Sequence, residues 1–293
     1  MKKYDYVLLD VFTHRAFGGN PLAVFSDARG LSSQQMQAIA NELNLSETTF
    51  VLPPEDPAND FKVRIFTAQI EMPMAGHPTI GTAFTLAARG MTEPDGPETM
   101  VRFEEKVGLI PVKIRWENGK AVFCQMQQNL PEFGPVVQDK KQVAEILSLP
   151  VEALEDTLPV EVVSCGVPYL IVPLKTLSDI EKIQLRPELM AKLKPSINDA
   201  NLYIFTRHSV TDQAHLHSRM FWLENGIFSE DAATGSASGP LGCYAARHNL
   251  FGSAAWLELT NEQGFEMNRP SCIRIEIEQE AGKITAVKVG GEA

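Results

Sequence analysis

Long apolar runs are missing from this 293-residue chain, so no stretch of about 18 residues could cross a bilayer as a helix. Positive charge is also scarce. Lys and Arg number 26 against 37 Asp and Glu, giving a net charge of -11. Nucleic acid rewards basic surfaces, so no nucleic-acid partner is expected. A small anion held locally by backbone amides remains compatible with this balance. Cysteine is sparse: Cys124, Cys165, Cys243 and Cys272 are scattered, with no C-x-x-C pair. That argues against a disulfide framework and for a reducing compartment. The first strand pattern has no apolar signal-peptide core before it, and a cytoplasmic location is expected. The G-x-G-x-x-G dinucleotide loop, the P-loop and low-complexity tracts are absent as well.

What is present has the ordinary balance of a globular chain, 44% hydrophobic and 22% charged. The length allows one large or two medium domains. One stretch organises the second half: Glu230-Asp231-Ala232-Ala233-Thr234-Gly235-Ser236-Ala237-Ser238-Gly239. It follows the apolar run Met220-Phe221-Trp222-Leu223 and leads into the helical pattern Pro240 to Arg247. Small residues let a ligand approach the backbone, and the unpaired amides of a helix start hold anions. A plain capped helix with a Gly-rich entry would carry the same residues. The first half echoes this stretch in Ala75-Gly76-His77-Pro78-Thr79-Ile80-Gly81-Thr82-Ala83, after a β-like run from Phe61 to Thr67. Both helical patterns end in Ala-Ala-Arg, although their glycine spacings differ by one residue. Two imperfect copies imply a duplicated unit, each with a helix start facing a shared cleft.

Along the chain, strand patterns cover Tyr6–Phe12, Leu22–Phe25, Thr48–Leu52 and Phe61–Thr67. Three more run over Met100–Phe103, Val107–Ile114 and Ala121–Met126. Ser32 is placed to cap a helix over Ser33–Leu43, and Asp139 one running to Leu147. Gln127 to Pro135 reads as a domain link. Strands then fall at Val160–Ser164, Tyr169–Val172, Leu202–Phe205 and Ala214–Phe221, with two short helical pieces in Leu177–Leu193. Strands at Trp256–Leu259, Ile273–Ile277 and Ile284–Val289 close the chain. Strands outnumber helices, and each half has one long apolar helix. The predicted architecture is α+β, strands wrapped around a central helix twice over, and not a doubly wound parallel sheet.

Four motifs carry a family resemblance. They are Asp10-Val11-Phe12-Thr13 with Gly19-Asn20-Pro21-Leu22-Ala23-Val24, Leu45-Ser46-Glu47-Thr48, Phe66-Thr67 with Glu71 to Thr79, and Glu230-Asp231 with Thr234-Gly235-Ser236-Ala237. In kind and order they resemble the PhzF-type isomerases of phenazine biosynthesis, related to trans-2,3-dihydro-3-hydroxyanthranilate isomerase. The resemblance implies the diaminopimelate-epimerase-like fold, two pseudo-symmetric lobes that each wrap a barrel-like sheet around a helix. The first lobe would hold residues 1–118 with the returning strand 282–293, and the second residues 128–281. It further implies an active site in the cleft between lobes, a homodimer, no cofactor and no metal. Two positions depart from the family pattern, with Ala68 and Ala232 where proline is common.

The implied chemistry is a proton shift on a small unsaturated carboxylate. Glu47 matches the catalytic glutamate, which removes a proton from carbon and returns it elsewhere on the same face. A carboxylate does both when its pKa lies near the working pH. Taken without the motif, Glu47 is an exposed residue at a strand start. His77 and Ser236 hold matching places at the two helix starts. With Gly76 and Gly235 they would bind the substrate carboxylate and developing negative charge. Asp231 matches the second acidic residue, suited to orient an amino or hydroxyl group, and Asn20 would face the same cleft. Helix capping is the structural alternative for His77 and Ser236. Racemases of this fold use one cysteine at each helix start, and Cys243 lies deeper in its helix, so a two-thiol reaction is disfavoured. His215 and His217 are too few for a metal site and read as structural. A serine hydrolase is disfavoured because Gly235-Ser236-Ala237-Ser238-Gly239 lacks the nucleophile-elbow pattern. A non-catalytic binding protein on this fold is the remaining alternative.

Overall fold

The computed structural model describes residues 3–293. Two compact units emerge, one holding the chain up to Gln127 together with Gly290–Ala293, the other Gln128–Val289. Gly290–Ala293, the end of the expected returning strand, group with the first unit, where the Glu292 carbonyl accepts from the Phe12 and Thr13 amides. The preceding residues of the last strand pack with the second unit.

The first unit contains β1 (Val7–Val11), β2 (Asn20–Phe25), α1 (Ser33–Leu43), β3 (Glu47–Leu52), β4 (Phe61–Phe66), β5 (Glu71–Met72), α2 (Gly76–Ala88), β6 (Glu98–Glu105), β7 (Gly108–Glu117) and β8 (Lys120–Gln128). β1 pairs antiparallel with β2, β2 parallel with β3, and β3 antiparallel with β4. From β4 the order continues antiparallel to β5 and parallel to β6, then antiparallel through β7 to β8.

The second unit begins with β9 (Glu132–Val137), α3 (Lys140–Leu147), β10 (Val160–Ser164), β11 (Pro168–Pro173), α4 (Leu177–Glu181) and α5 (Pro187–Leu193). It continues with β12 (Asn201–Thr206), β13 (Leu216–Glu224), β14 (Ile227–Asp231), α6 (Gly235–Arg247), β15 (Trp256–Gln263), β16 (Ser271–Glu280) and β17 (Lys283–Gly291). Its pairings run β10–β11 antiparallel, β11–β12 parallel, β12–β13 antiparallel, β13–β14 antiparallel, β13–β15 parallel and β15–β16 antiparallel. This repeats the β1-to-β7 series strand for strand, with α6 in the place of α2. The duplication inferred from two short stretches therefore extends through the whole pairing scheme, and the α+β architecture is the expected one.

In each unit the long helix is the inner layer. α2 packs on β1, β2, β3 and β7, and α6 on β10, β11, β15 and β16. A helix enclosed by strands cannot carry a polar face. Every residue of α2 from Gly76 to Ala87 is buried, and the sequence supplies Gly, Thr, Ala, Ile, Phe and Leu there. Glycines allow the closest approaches. A Cβ at Gly81 would lie 2.7 Å from Val11 Cγ2, and one at Gly242 would lie 2.4 Å from Ile275 Cγ2. The outer face of the first sheet takes α1, fixed by a Ser32–Gln35 capping box. The outer face of the second takes α3, α4 and α5, over Val160, Val162, Leu170, Val172, Leu202 and Ile204. Strands covered on both faces read as unbroken apolar runs such as Leu170-Ile171-Val172.

Three sequence expectations need correction. The segment Gln127–Pro135 holds the boundary between the units, after Gln127, but it is not link throughout: Glu132–Val137 forms β9 and pairs antiparallel with β10. Its Gly134 and Pro135 disguised an edge strand, where proline is tolerated. The second correction adds strands β5 and β14, short hairpin partners with no apolar run to mark them. Third, α2 and α6 begin at Gly76 and Gly235, several residues before their helical patterns. Pro78 falls in the first turn of α2, where no amide is needed, while Pro240 lies inside α6. Among the described residues no helix is long and apolar enough to cross a membrane.

The turn before β2 fixes where the first motif goes. Gly19 has φ +54°, and a Cβ there would sit 2.1 Å from the Val11 carbonyl oxygen. Gly19→Ala is expected to cost more than about 2 kcal/mol of stability, read by urea denaturation. A change under about 0.5 kcal/mol would show that the turn relaxes.

Candidate active site

In the first unit Glu47 opens β3, just after Asn44 ends α1 in the left-handed conformation. Parallel pairing puts Glu47 opposite Leu22, two residues along β2 from the fully buried Asn20. His77 is the second residue of α2, behind Gly76. Its Nε2 lies 3.3 Å from Glu47 Oε2, with the side chains 5% and 16% exposed. The two atoms are close but not aligned as a hydrogen bond. Burial pushes the His77 imidazole down to about 3, so at neutral pH it is uncharged and the contact is no ion pair. Pro78 has no amide, and the first-turn amides of Gly76 and His77 find no acceptor within the helix. The cap residue Ala75 offers no side chain to them.

In the second unit the same construction surrounds α6. Gly235 is its first residue and Ser236 its second, so Ser236 and His77 hold equivalent positions. Ser236 Oγ is 2.7 Å from the Tyr169 hydroxyl on β11. Asp231 ends β14, and its Oδ2 accepts from Thr234 Oγ1 at 2.6 Å. Gln263 at the end of β15 ties this turn together. Its Nε2 donates to the Asp231 carbonyl and to Thr234 Oγ1, and its Oε1 accepts from the Thr234 amide. Ser271 Oγ bonds the Ala232 carbonyl at 3.2 Å. Where relatives of the resembled family commonly have proline, the Ala232 turn is thus held by tertiary hydrogen bonds. The Ala68 carbonyl is likewise held, by Asn41 Nδ2 at 3.1 Å.

Tyr203 lies beneath α6, and burial pushes its phenol up to about 12, so it stays neutral. It touches Ser238 of the helix, donates to Gln263 Oε1 and receives the Asn261 amide. Sequence patterning did not single out Tyr169, Tyr203, Gln263 or Thr79. Each sits on a strand or helix whose sequence reads as ordinary core. The hint was the polar run Thr260-Asn261-Glu262-Gln263 that ends β15 before Gly264.

His215, just before β13, and His217, on it, both bond to neighbouring protein groups. His215 Nδ1 accepts from the Thr260 amide. His217 sits between two carboxylates, with Nδ1 3.3 Å from Glu262 Oε2 and Nε2 3.0 Å from Glu266 Oε1. Among the described residues no group of three or more His, Cys, Asp or Glu is placed to hold a metal ion. Neither helix start carries a cysteine among its first residues. Cys243 is buried in the middle of α6, its Sγ 3.8 Å from that of Cys165, and its thiol is raised well above the usual range by that contact and by burial.

This geometry is the setting for the comparisons with known proteins. Residues 9–293 match the family described as phenazine biosynthesis-like protein, and the chain belongs to that family. An isomerase of Mesorhizobium japonicum is 37% identical, covering 100% of this chain and 97% of its own. The trans-2,3-dihydro-3-hydroxyanthranilate isomerase of Pseudomonas aeruginosa is 36% identical, covering 98% and 95%. The crystal structure of a Bacillus anthracis PhzF-family phenazine biosynthesis protein superposes with a TM-score of 0.91 at 30% identity, covering 100% of this chain and 96% of that one. The fold is the diaminopimelate-epimerase-like one, and the class of enzyme is isomerase.

The His217 cluster props the strand end that carries Gln263 and has a definite pH signature. Burial alone would lower the imidazole, but bonds to Glu262 and Glu266 outweigh it and raise it to about 9. A raised value stabilises the charged, folded form. The contribution is fully present below about pH 6.5 and is lost as the pH rises through about 9, at most about 3 kcal/mol in all. Denaturant titrations across that window should show the loss in the parent protein and a flatter profile in His217→Gln. Equal profiles would remove the clamp.

Proposed function

We propose that this isomerase shifts a proton within a small unsaturated carboxylate, with Glu47 as general acid and base. The observation that carries the reading is the buried pair of Glu47 and an uncharged His77, 3.3 Å apart at the start of an enclosed helix. A protonated imidazole at that distance would trap Glu47 as a carboxylate. A neutral one leaves it able to take a proton and give it back. Glu47 removes a proton from one carbon, the electron pair moves through the unsaturated system, and Glu47 returns the proton to another carbon on the same face. Atoms and charge balance with no oxidant, and no cofactor is needed.

His77 and the amides of Gly76 serve the developing negative charge in this proposal. Asp231, Gly235 and Ser236 hold the substrate's polar groups, as does Asn20, two residues along β2 from the Leu22 that pairs with Glu47. The Asp231–Thr234 bond supports Asp231 as an orienting acceptor. The Ser236 hydroxyl is engaged by a phenol, which suits binding better than nucleophilic attack. A cytoplasmic homodimer completes the proposal. Four free cysteines support the reducing compartment, and sedimentation would read the dimer.

The test is solvent-deuterium incorporation. trans-2,3-Dihydro-3-hydroxyanthranilate, the compound named for the Pseudomonas aeruginosa relative, is the first probe. Glu47→Gln should keep the melting temperature and lose about 10²- to 10⁴-fold in exchange rate. Undiminished exchange would end the assignment. Inertness of the parent protein toward a panel of small unsaturated carboxylates, with thermal shifts but no exchange, would favour the non-catalytic alternative.

A further inference from the structure

Glu105, the last residue of β6, is a buried carboxyl that this chemistry does not use. It is 7% exposed and ends beside the first turn of α2. Its Oε1 lies 2.6 Å from Thr79 Oγ1. Thr79 Oγ1 in turn lies 2.7 Å from the carbonyl oxygen of Ala75, the cap residue of α2. The single Thr79 hydroxyl proton has two acceptors in reach, Glu105 Oε1 and the Ala75 carbonyl. A carbonyl only accepts, so both contacts are hydrogen bonds at once only when Thr79 donates to Ala75. The Glu105–Thr79 contact then needs a proton from the carboxyl. Burial pushes the Glu105 carboxyl up to about 8, a shift held back because the Thr79 hydroxyl can donate to the carboxylate form; near neutral pH the acid form prevails and can itself donate to Thr79. Its Oε2 is buried without a hydrogen bond, which a neutral carbonyl oxygen tolerates far better than a carboxylate.

The bond that Thr79 makes is needed locally. The Thr79 amide reaches Ala75 O only at 3.4 Å, so the hydroxyl closes the first turn that the backbone closes weakly. α6 has the same device. Ser238, equivalent to Thr79, donates to the cap carbonyl of Thr234 at 3.0 Å, and Tyr203 stands behind it at 3.1 Å. There the group behind the hydroxyl is a phenol that stays neutral; under α2 it is an acid that can ionise.

The charged groups around Glu105 belong to β4, β5, β6 and the turn after it. Lys62 pairs with Glu55, and Arg64 with Glu71 at 2.7 Å. Glu104 takes the amides of Glu55 and Asp56, and Lys106 acts on Glu71. From α2 the titratable neighbour is His77, two residues before Thr79 and uncharged.

We propose that Glu105 is a positioning residue for His77. As the neutral acid it donates to Thr79, frees the Thr79 proton for the Ala75 carbonyl, and so sets the turn that holds the imidazole against Glu47. On ionisation the carboxylate becomes the stronger acceptor and draws the Thr79 proton to itself. The Ala75 carbonyl loses its donor and the first turn of α2 loosens. The proposal rests on Glu47 being the general acid and base with His77 beside it.

The experiment has two arms. In the first, the amide resonances of Gly76, His77 and Thr79 in the full chain are followed from about pH 6.5 to about 9.5. One transition near pH 8 is expected in the parent protein, with none in Glu105→Gln, whose amide donates without titrating. Thr79→Val, which severs the chain, should leave His77 insensitive as well. In the second arm kcat and KM for trans-2,3-dihydro-3-hydroxyanthranilate are measured over the same range. The parent kcat should fall about tenfold from pH 7 to pH 9 with KM little changed, and Glu105→Gln should remove that fall. No His77 transition, an equal one in Glu105→Gln, or a transition without effect on kcat would overturn the proposal. If the probe is not turned over, the first arm decides. Exchange that survives Glu47→Gln ends the Glu47 assignment instead, whatever Glu105 does, so the two failures are separable.

Discussion

Enclosing a helix start inside a sheet is the constraint on which the rest of this structure depends. A helix leaves its first amides and its cap carbonyl short of partners. On a surface, water supplies them. α2 and α6 are buried almost throughout, so the strands and the helix's own side chains must do it. Both helices place a hydroxyl at their fourth position, bonded to the cap carbonyl. In both, the amides of the first two residues have no acceptor within the helix. The polarity that folding would otherwise exclude is concentrated at one end of each helix, where anionic chemistry can use it.

The same burial decides protonation. His77 is uncharged and Glu105 is held as an acid because low-dielectric surroundings disfavour charge. His217 is the exception that shows the rule, since two carboxylates at 3.0 and 3.3 Å hold it charged in spite of burial. Neutral His77 and Glu105 thus flank the start of α2, and the charged His217 cluster stands behind the Asp231 turn before α6. Duplication has kept the backbone scheme in both units and let the side chains diverge: histidine or serine at the second position, a carboxylic acid or a phenol behind the hydroxyl.

Much of the architecture was legible in the chain. Both-face-buried strands announce themselves as apolar runs, and Ser32 and Asp139 marked helix starts that their side-chain bonds confirm. The family motifs drew attention to Glu47, His77, Asp231 and Ser236, which lie at or beside the starts of α2 and α6. What escaped was short or disguised. β9 hid behind Gly134 and Pro135, and β5 and β14 are hairpin returns with no core of their own. Tyr169, Tyr203, Gln263 and Glu105 escaped because local patterning cannot say what lies across a sheet.

Residue order by itself determined the periodicities, the paired small-residue turns and the motif set, since these follow from chain stereochemistry and the need to bury apolar faces. Only the tertiary structure decided that His77 is neutral, that Glu105 carries a proton and that Gln263 holds the Asp231 turn. Those properties depend on desolvation and on partners 26 to 32 residues away in the chain, and neither exists until the strands have closed around the helix.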